Sequence, residues 1–293
     1  MEYKKILLTG ASGFIGRNLK EHFEGKYDIY CPSSRELNLC NQEAVEEELT
    51  KNRYDVVIHS ANTNTTKNQD ITSNDSLDRN LRMFYNLERC KMFFGKMYYF
   101  GSGAEYDMRH YIPEMKEEYF GTFIPQDPYG FSKYIMSKSC RAGENIYDLR
   151  LFGVYGKYEE WHRRFISNAI CRVLKGMPIT ISQNVFFDYL WIEDLANIME
   201  WFIENTPQHK HYNICTGSRV DLYTLACKVR QIMNVDCDII VGKAGYKPEY
   251  TGNNQRMMDE LGNYSFSDLD ITIQKLIDYY RTNEKMIDKE KLI

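Results

Sequence analysis

The stretch TGASGFIG, Thr9 to Gly16, follows directly on the short apolar run KKILLT at 4–9 and places Gly10, Gly13 and Gly16 three residues apart. Glycines at that spacing occur in ordinary turns as well as in phosphate cradles. Here an apolar run precedes them and a helical pattern follows, so the main-chain amides stand at a helix N-terminus, where they can face an anion. Without side chains at these positions, a diphosphate can approach the backbone closely. The stretch is therefore expected to bind a dinucleotide through Gly10, Ser12, Gly13, Phe14, Ile15 and Gly16.

Outward from this loop, the first half of the chain alternates short apolar runs with longer segments of helical period. The runs are 4–9, 27–31, 54–61, 96–102 and 147–153, and helices are expected at about 13–24, 42–52, 76–94 and 128–144. Near-continuous apolar runs suit parallel strands covered on both faces, which predicts an α/β fold, a Rossmann-like doubly wound parallel sheet. Beyond residue 155 the alternation is less even: a helix near 162–175, a strand ITIS at 179–182, a helix near 193–204, a strand at 211–215 and a last helix near 267–282. The expected division is a dinucleotide-binding domain over 1–155, with later strands near 179–215 contributing, and a smaller, partly interleaved substrate lobe over 156–293.

The composition limits the function classes. With 293 residues, 43% of them hydrophobic, the chain can bury a substantial core, and disorder is not expected. A net charge of −4 argues against a general binder of nucleic acid or anionic membrane, which would show a basic excess. No apolar run reaches the roughly 18–20 residues of a membrane span, and no signal-like segment opens the chain, so a cytoplasmic protein is expected. The eight cysteines show neither zinc nor redox spacing, and no metal site is expected.

Sites that prefer NAD carry an acidic residue at the end of the second strand to bind the adenosine ribose. At that point this chain has Ser33, Ser34 and Arg35. A guanidinium with two hydroxyls suits a 2′-phosphate, so NADP (NADPH) is favoured, with NAD possible. The bland alternative is that Arg35 solvates a loop and pairs with Glu36. Asn38 and Leu39 follow, close to where an adenine ring is expected.

In YGFSK, Tyr129 and Lys133 lie four apart behind Pro128 and so share one helical face. A phenol ionises near 10, and a neighbouring ammonium favours the phenolate, which makes Tyr129 a candidate proton donor to a substrate oxygen. The spacing alone also arises by chance; the remaining landmarks give it meaning.

Taken together, TGASGFIG, VIHSA at 57–61, Asn80 in RNLRMFYNL, YGFSK, RLFGVYG at 150–156, FDYLWIEDLA at 187–196 and YNICTG at 212–217 resemble the extended short-chain dehydrogenase/reductase superfamily. The resemblance is to its NAD(P)-dependent sugar-nucleotide epimerase, dehydratase and reductase group and covers nearly the whole chain. It implies cofactor contacts from Ser60, Ala61 and Asn80. It also implies a catalytic set of Ser102, Tyr129 and Lys133, with Ser102 bonding the substrate carbonyl, Tyr129 moving the proton and Lys133 holding the nicotinamide ribose. A homodimer through helices 76–94 and 128–144, packed as a four-helix bundle, is a further implication.

Members that dehydrate sugar nucleotides carry an Asp-Glu pair directly after the serine, where this chain has Gly103 and Ala104. The GDP-fucose synthases, which it resembles in SRELNL, epimerise with a cysteine and a histidine; the matching positions are Ala104 and Arg164, with His162 nearby. What remains is reduction of the 4-keto group of a nucleotide-activated 4-keto-6-deoxy sugar. The alternatives are an NAD-dependent 4-epimerase and a catalytically silent nucleotide-sensing or scaffold protein. The arginine that many members place before Asp-Tyr is Phe187 here, so Arg163, Arg164, Lys175, Lys247 and Arg256 become candidate diphosphate contacts. Gly103, Ala104 and Phe187 complete the expected substrate contacts.

Overall fold

The computed structural model describes residues 3–63 and 72–292. In chain order its first elements are β1 (Lys5–Thr9), α1 (Phe14–Phe23), β2 (Asp28–Tyr30), α2 (Gln42–Asn52), β3 (Val56–His59), α3 (Ser73–Glu88), β4 (Lys96–Ser102), α4 (Pro128–Ala142) and β5 (Ile146–Leu151). There follow β6 (Gly153–Tyr155), α5 (Phe165–Leu174), β7 (Ile179–Asn184), β8 (Phe186–Trp191), α6 (Ile192–Glu204) and β9 (His211–Ile214). The last are β10 (Arg219–Asp221), α7 (Leu222–Met233), β11 (Ile239–Tyr246), α8 (Gln255–Leu261) and α9 (Leu269–Thr282). The chain divides into two compact units, the first comprising 1–110, 116–151 and 199–214, the second 111–115, 152–198 and 215–293.

The first unit is built on a six-stranded sheet of order β2-β1-β3-β4-β5-β9, parallel at every pairing. The predicted doubly wound α/β sheet is the one observed. Because side chains alternate across a strand, Leu7, Val57, Met97 and Tyr99 join Val45, Leu49, Phe84, Leu87 and Met136 from α2, α3 and α4 in one core layer. Tyr98 points to the other face, its ring 5.5 Å from that of Phe202 in α6. On that face His22 of α1 lies 2.9 Å from Glu200 of α6. Fully burying one such aliphatic or aromatic side chain is worth about 1.5–3 kcal/mol, so both layers are needed to hold the sheet.

Helix starts follow local chemistry. Thr72 and Asp75 form a reciprocal capping box on α3, which begins three residues earlier than the apolar pattern suggests. It ends at Glu88, short of the expected 94: the Cys90 amide bonds the Leu87 carbonyl at 3.1 Å, and Lys91–Phe93 form a separate 3₁₀ turn before β4. Asp127 caps α4 at the Gly130 amide, and Pro128 takes the first helical position, where its missing N–H costs nothing.

Of the later strands expected in this sheet, β9 is present, at the edge beside β5. The 179–182 strand is not. As part of β7 it pairs in parallel with β11, in the second unit. That unit also holds the sheet β10-β8-β6, whose short strands and the helices α7 and α8 lie in stretches where no element was anticipated. Asp188 of β8 accepts hydrogen bonds from the amides of Thr216 (2.8 Å) and Gly217 (2.7 Å) and so fixes the turn entering β10. No helix among the described residues is long and apolar enough to cross a membrane.

Candidate active site

The glycine loop closes the carboxyl end of β1 onto β3. Gly10 has φ +72°, and a side chain there would strike the Ala61 nitrogen at 2.6 Å; one on Gly16 would meet the Gly10 carbonyl oxygen at 2.2 Å. Only hydrogen fits at either position. Gly13 begins α1 without a side-chain cap, and the first turn carries no acidic residue. The amides of that turn are thus left to an external anion, and a dinucleotide diphosphate fits them. Thr9 Oγ1 accepts from the Ala61 amide at 3.2 Å and lies 2.9 Å from His59 Nδ1. Burial, and then the charge of Lys133, lowers the His59 pKa to about 3, so its imidazole stays neutral. Asn80 is buried in α3 and clasps the Thr63 main chain, accepting from its amide at 2.7 Å and donating to its carbonyl at 3.0 Å. It therefore shapes the strand exit that carries Ser60 and Ala61.

Ser33, Ser34 and Arg35 lie exposed on the turn after β2. Glu36 closes that turn: its carboxylate accepts the Ser33 amide at 2.8 Å, and these Ser33 hydrogen bonds hold its pKa below the usual value. A carboxylate thus does stand beside the second strand, although not at the strand-end position where one is usually sought. Asn38 Oδ1 is engaged by the Cys40 amide at 3.0 Å. Leu39 is buried and packs with Val45 and Phe84.

The catalytic candidates gather where β4 ends and α4 begins. Ser102 is buried, its Oγ accepting the Ala104 amide at 3.2 Å. Tyr129 stands in the first turn of α4 and is 41% exposed, whereas Lys133, one turn on, is 5% exposed. The Lys133 ammonium donates to the Phe100 carbonyl at 2.9 Å and lies 5.9 Å from the centre of the Tyr129 ring. Gly130 is needed here because a side chain would press within 2.9 Å of the Ala104 carbonyl, so the helix start rests directly on the turn after Ser102. Burial lowers the Lys133 pKa to about 8, and the charges of Glu105 and Asp148 oppose the fall.

Sequence inspection does not single out the groups beneath these residues. Arg150 of β5 is fully buried, and its Nε donates to Glu105 Oε2 and to Asp148 Oδ2, both at 2.8 Å. Its remaining nitrogens reach the Tyr106 hydroxyl at 2.7 Å and Ser137 Oγ at 2.9 Å. The alternating YDLRL pattern of β5, with two charges on one inward face, is the signal that could have revealed this cluster.

Gly103 and Ala104 follow Ser102 in a short 3₁₀ turn. Of the expected substrate contacts in the second unit, Arg163 and Arg164 lie exposed just before α5, Arg164 at its N-cap position. Phe187 lies in β8, its ring 5.6 Å from Tyr189 and 5.8 Å from Tyr250.

Residues 6–215 match the NAD dependent epimerase/dehydratase family. The chain belongs to that family. Among curated relatives, the GDP-L-colitose synthase of Yersinia pseudotuberculosis is 24% identical over 97% of this chain and 100% of its own length. Among solved structures, a GDP-L-fucose synthetase from Naegleria fowleri bound to NADP superposes with a TM-score of 0.81 at 15% identity, covering 99% of this chain and 96% of the other. A GDP-mannoheptose C4 reductase from Campylobacter jejuni with NADP bound superposes with a TM-score of 0.80 at 20% identity, covering 95% and 98%. At these identities the two superpositions establish a shared fold.

Proposed function

We propose that the protein is an NADP-dependent reductase acting on the 4-keto group of a nucleotide-activated 4-keto-6-deoxy sugar. The observation that carries this is that the start of α4, with Tyr129 and the buried Lys133, rests on the turn directly after Ser102 at the carboxyl end of β4, in the same unit as the uncapped glycine loop. The GDP-linked sugars in the relatives' names support a GDP-sugar substrate, and the two NADP-bound neighbours support the cofactor.

When bound, the nicotinamide supplies the hydride. Ser102 Oγ bonds the substrate carbonyl and orients it towards Tyr129. Tyr129 gives its phenolic proton to the developing alkoxide, and the Lys133 ammonium nearby stabilises the phenolate left behind. Gly10, Gly13 and Gly16 admit the diphosphate, while Ser12, Phe14 and Ile15 complete the first turn around it. Ser33, Ser34 and Arg35 take the 2′-phosphate. Gly103 and Ala104 supply neither the acid and base of a dehydratase nor a thiol for epimerisation beside the ketone, so the chemistry these side chains can complete is hydride transfer at the keto carbon. Arg163 and Arg164 are the cations we assign to the sugar nucleotide's diphosphate. A homodimer would use α3 and α4, which already adjoin through Tyr85 and Ser139, 2.8 Å apart.

The carboxylate of Glu36 beside the Ser33 amide favours a second reading, an NAD-dependent 4-epimerase. The fate of the cofactor separates the two. Incubated with NADPH and a panel of GDP-linked 4-keto-6-deoxy sugars, a reductase consumes NADPH stoichiometrically, whereas an epimerase interconverts sugars without net consumption. Tyr129→Phe should retain NADPH binding and lose at least about a hundredfold in turnover; comparable turnover would remove Tyr129 from the mechanism.

A further inference from the structure

Glu105 stands three residues after Ser102 and is completely buried. Its Oε1 accepts the Ser102 amide at 2.9 Å, and its Oε2 accepts from Arg150 at 2.8 Å. The same Arg150 nitrogen holds Asp148 Oδ2, also buried, at 2.8 Å. The second Asp148 oxygen, Oδ1, has no hydrogen-bond partner among the described residues. The two carboxyl groups meet over Gly101: a methyl group there would lie 2.1 Å from Asp148 Oδ1 and 2.3 Å from Glu105 Oε1. These oxygens are thus no farther apart than the sum of those two distances, with nothing but the hydrogen of a glycine between strand and carboxyls.

Two carboxylates this close, out of water and sharing one guanidinium, do not both ionise without a further cation. The cation available is Lys133, whose ammonium is tied to the Phe100 carbonyl one residue from Gly101. Ionisation of Glu105 and protonation of Lys133 therefore favour one another, and the two sites titrate as a linked pair.

We infer that Glu105 is a positioning residue of the reaction: it fixes the Ser102 main chain with one oxygen, and through its own ionisation it extends the pH range over which Lys133 remains an ammonium. The inference rests on the roles given to Ser102 and Lys133 in the proposed reduction. Burial, with Asp148 adding to it, raises the Glu105 pKa to about 8. Burial lowers Lys133 to about 8 from the other side. The other groups facing Glu105 do not supply the missing charge. Tyr99 of β4, Tyr106 of its own turn and Cys140 of α4 are all pushed up by burial and stay neutral. Ser137 of α4 is a neutral hydroxyl bonded to Asp148 Oδ2 at 2.5 Å, and Glu117 lies beyond Tyr106, holding the Asn213 amide at 2.8 Å. Above neutrality Glu105 ionises and keeps Lys133 protonated to higher pH than an uncharged neighbour would.

Glu105→Gln tests this, because the amide oxygen can still accept the Ser102 N–H while the charge is lost. The Lys133 side chain is followed by NMR titration in the NADPH-bound protein, its resonance assigned with Lys133→Arg, and the pH profile of NADPH oxidation is recorded in parallel. The titration and the alkaline limb of the profile are expected to move down by about one pH unit or more, with the melting temperature little changed. If the NMR titration moves but no ketosugar is reduced by either protein, the linkage stands and the reductase reading falls. A Lys133 titration that superimposes on wild type overturns the inference. Should Glu105→Gln fail to fold, Glu105→Met removes the same charge from a side chain of similar length and must shift Lys133 in the same direction; an unshifted titration there is equally fatal.

Discussion

Removing Arg150 offers a direct measure of what the buried cluster contributes. Arg150→Met keeps a long side chain of similar reach and deletes four hydrogen bonds of 2.7–2.9 Å to Glu105, Asp148, Tyr106 and Ser137. It leaves two fully buried carboxyl groups facing each other. Breaking a buried ion pair by removing one partner typically costs about 3–5 kcal/mol, a large share of a stability of about 5–15 kcal/mol. The cost must depend on pH in a definite sense. In the wild type Glu105 has its folded-state pKa raised to about 8, so its contribution is fully present below the ordinary carboxylate range and is lost as pH rises towards 8. Without the guanidinium Glu105 holds its proton more tightly still in the folded state, and the penalty for ionising it grows. Urea unfolding of wild type and variant at pH 5 and pH 8 should show a deficit of about 3–5 kcal/mol at pH 8 that is clearly smaller at pH 5. A triple variant that adds Glu105→Val and Asp148→Val should recover much of the loss, because an apolar cluster carries no charge to desolvate. A deficit below about 1 kcal/mol at pH 8, or one equal at both pH values, would refute the idea that Arg150 neutralises a buried acid pair.

Two further outcomes concern the cofactor. Arg35→Ala should weaken NADPH binding by about tenfold or more and leave NADH binding nearly unchanged, as read by quenching of protein fluorescence, whereas Glu36→Gln, which removes the negative charge from the same turn, should shift preference further towards NADPH. Equal losses for both cofactors in Arg35→Ala would detach Arg35 from the 2′-phosphate. Gly16→Ala sets a methyl group 2.2 Å from the Gly10 carbonyl oxygen, so the loop must open; NADPH affinity should collapse and the melting temperature fall, with overpacking of this kind costing about 1–3 kcal/mol.

Local sequence determined a good deal about this protein. The glycine spacing permits a tight turn and a helix start without a side-chain cap, because glycine tolerates the positive φ that Gly10 adopts. Alternating apolar runs and helical patterns dictate a parallel sheet covered on both faces, and the four-residue spacing of Tyr129 and Lys133 puts them on one helical face. Each of these rests on neighbours within a few residues. The tertiary structure alone decided the rest. Register sets Gly101 beside Arg150 and Tyr99 beside Asp148, which brings residues more than forty positions apart into one charge cluster. No periodicity in the chain encodes that neutralisation. The apolar run of β7 is compatible with the central sheet, yet it pairs with β11, since a short run states only that it must be buried and not against what. Backbone geometry and helical spacing are properties of the chain itself, whereas the state of a buried charge depends on every group that the fold packs around it, and that became visible only when strand and helix were set together.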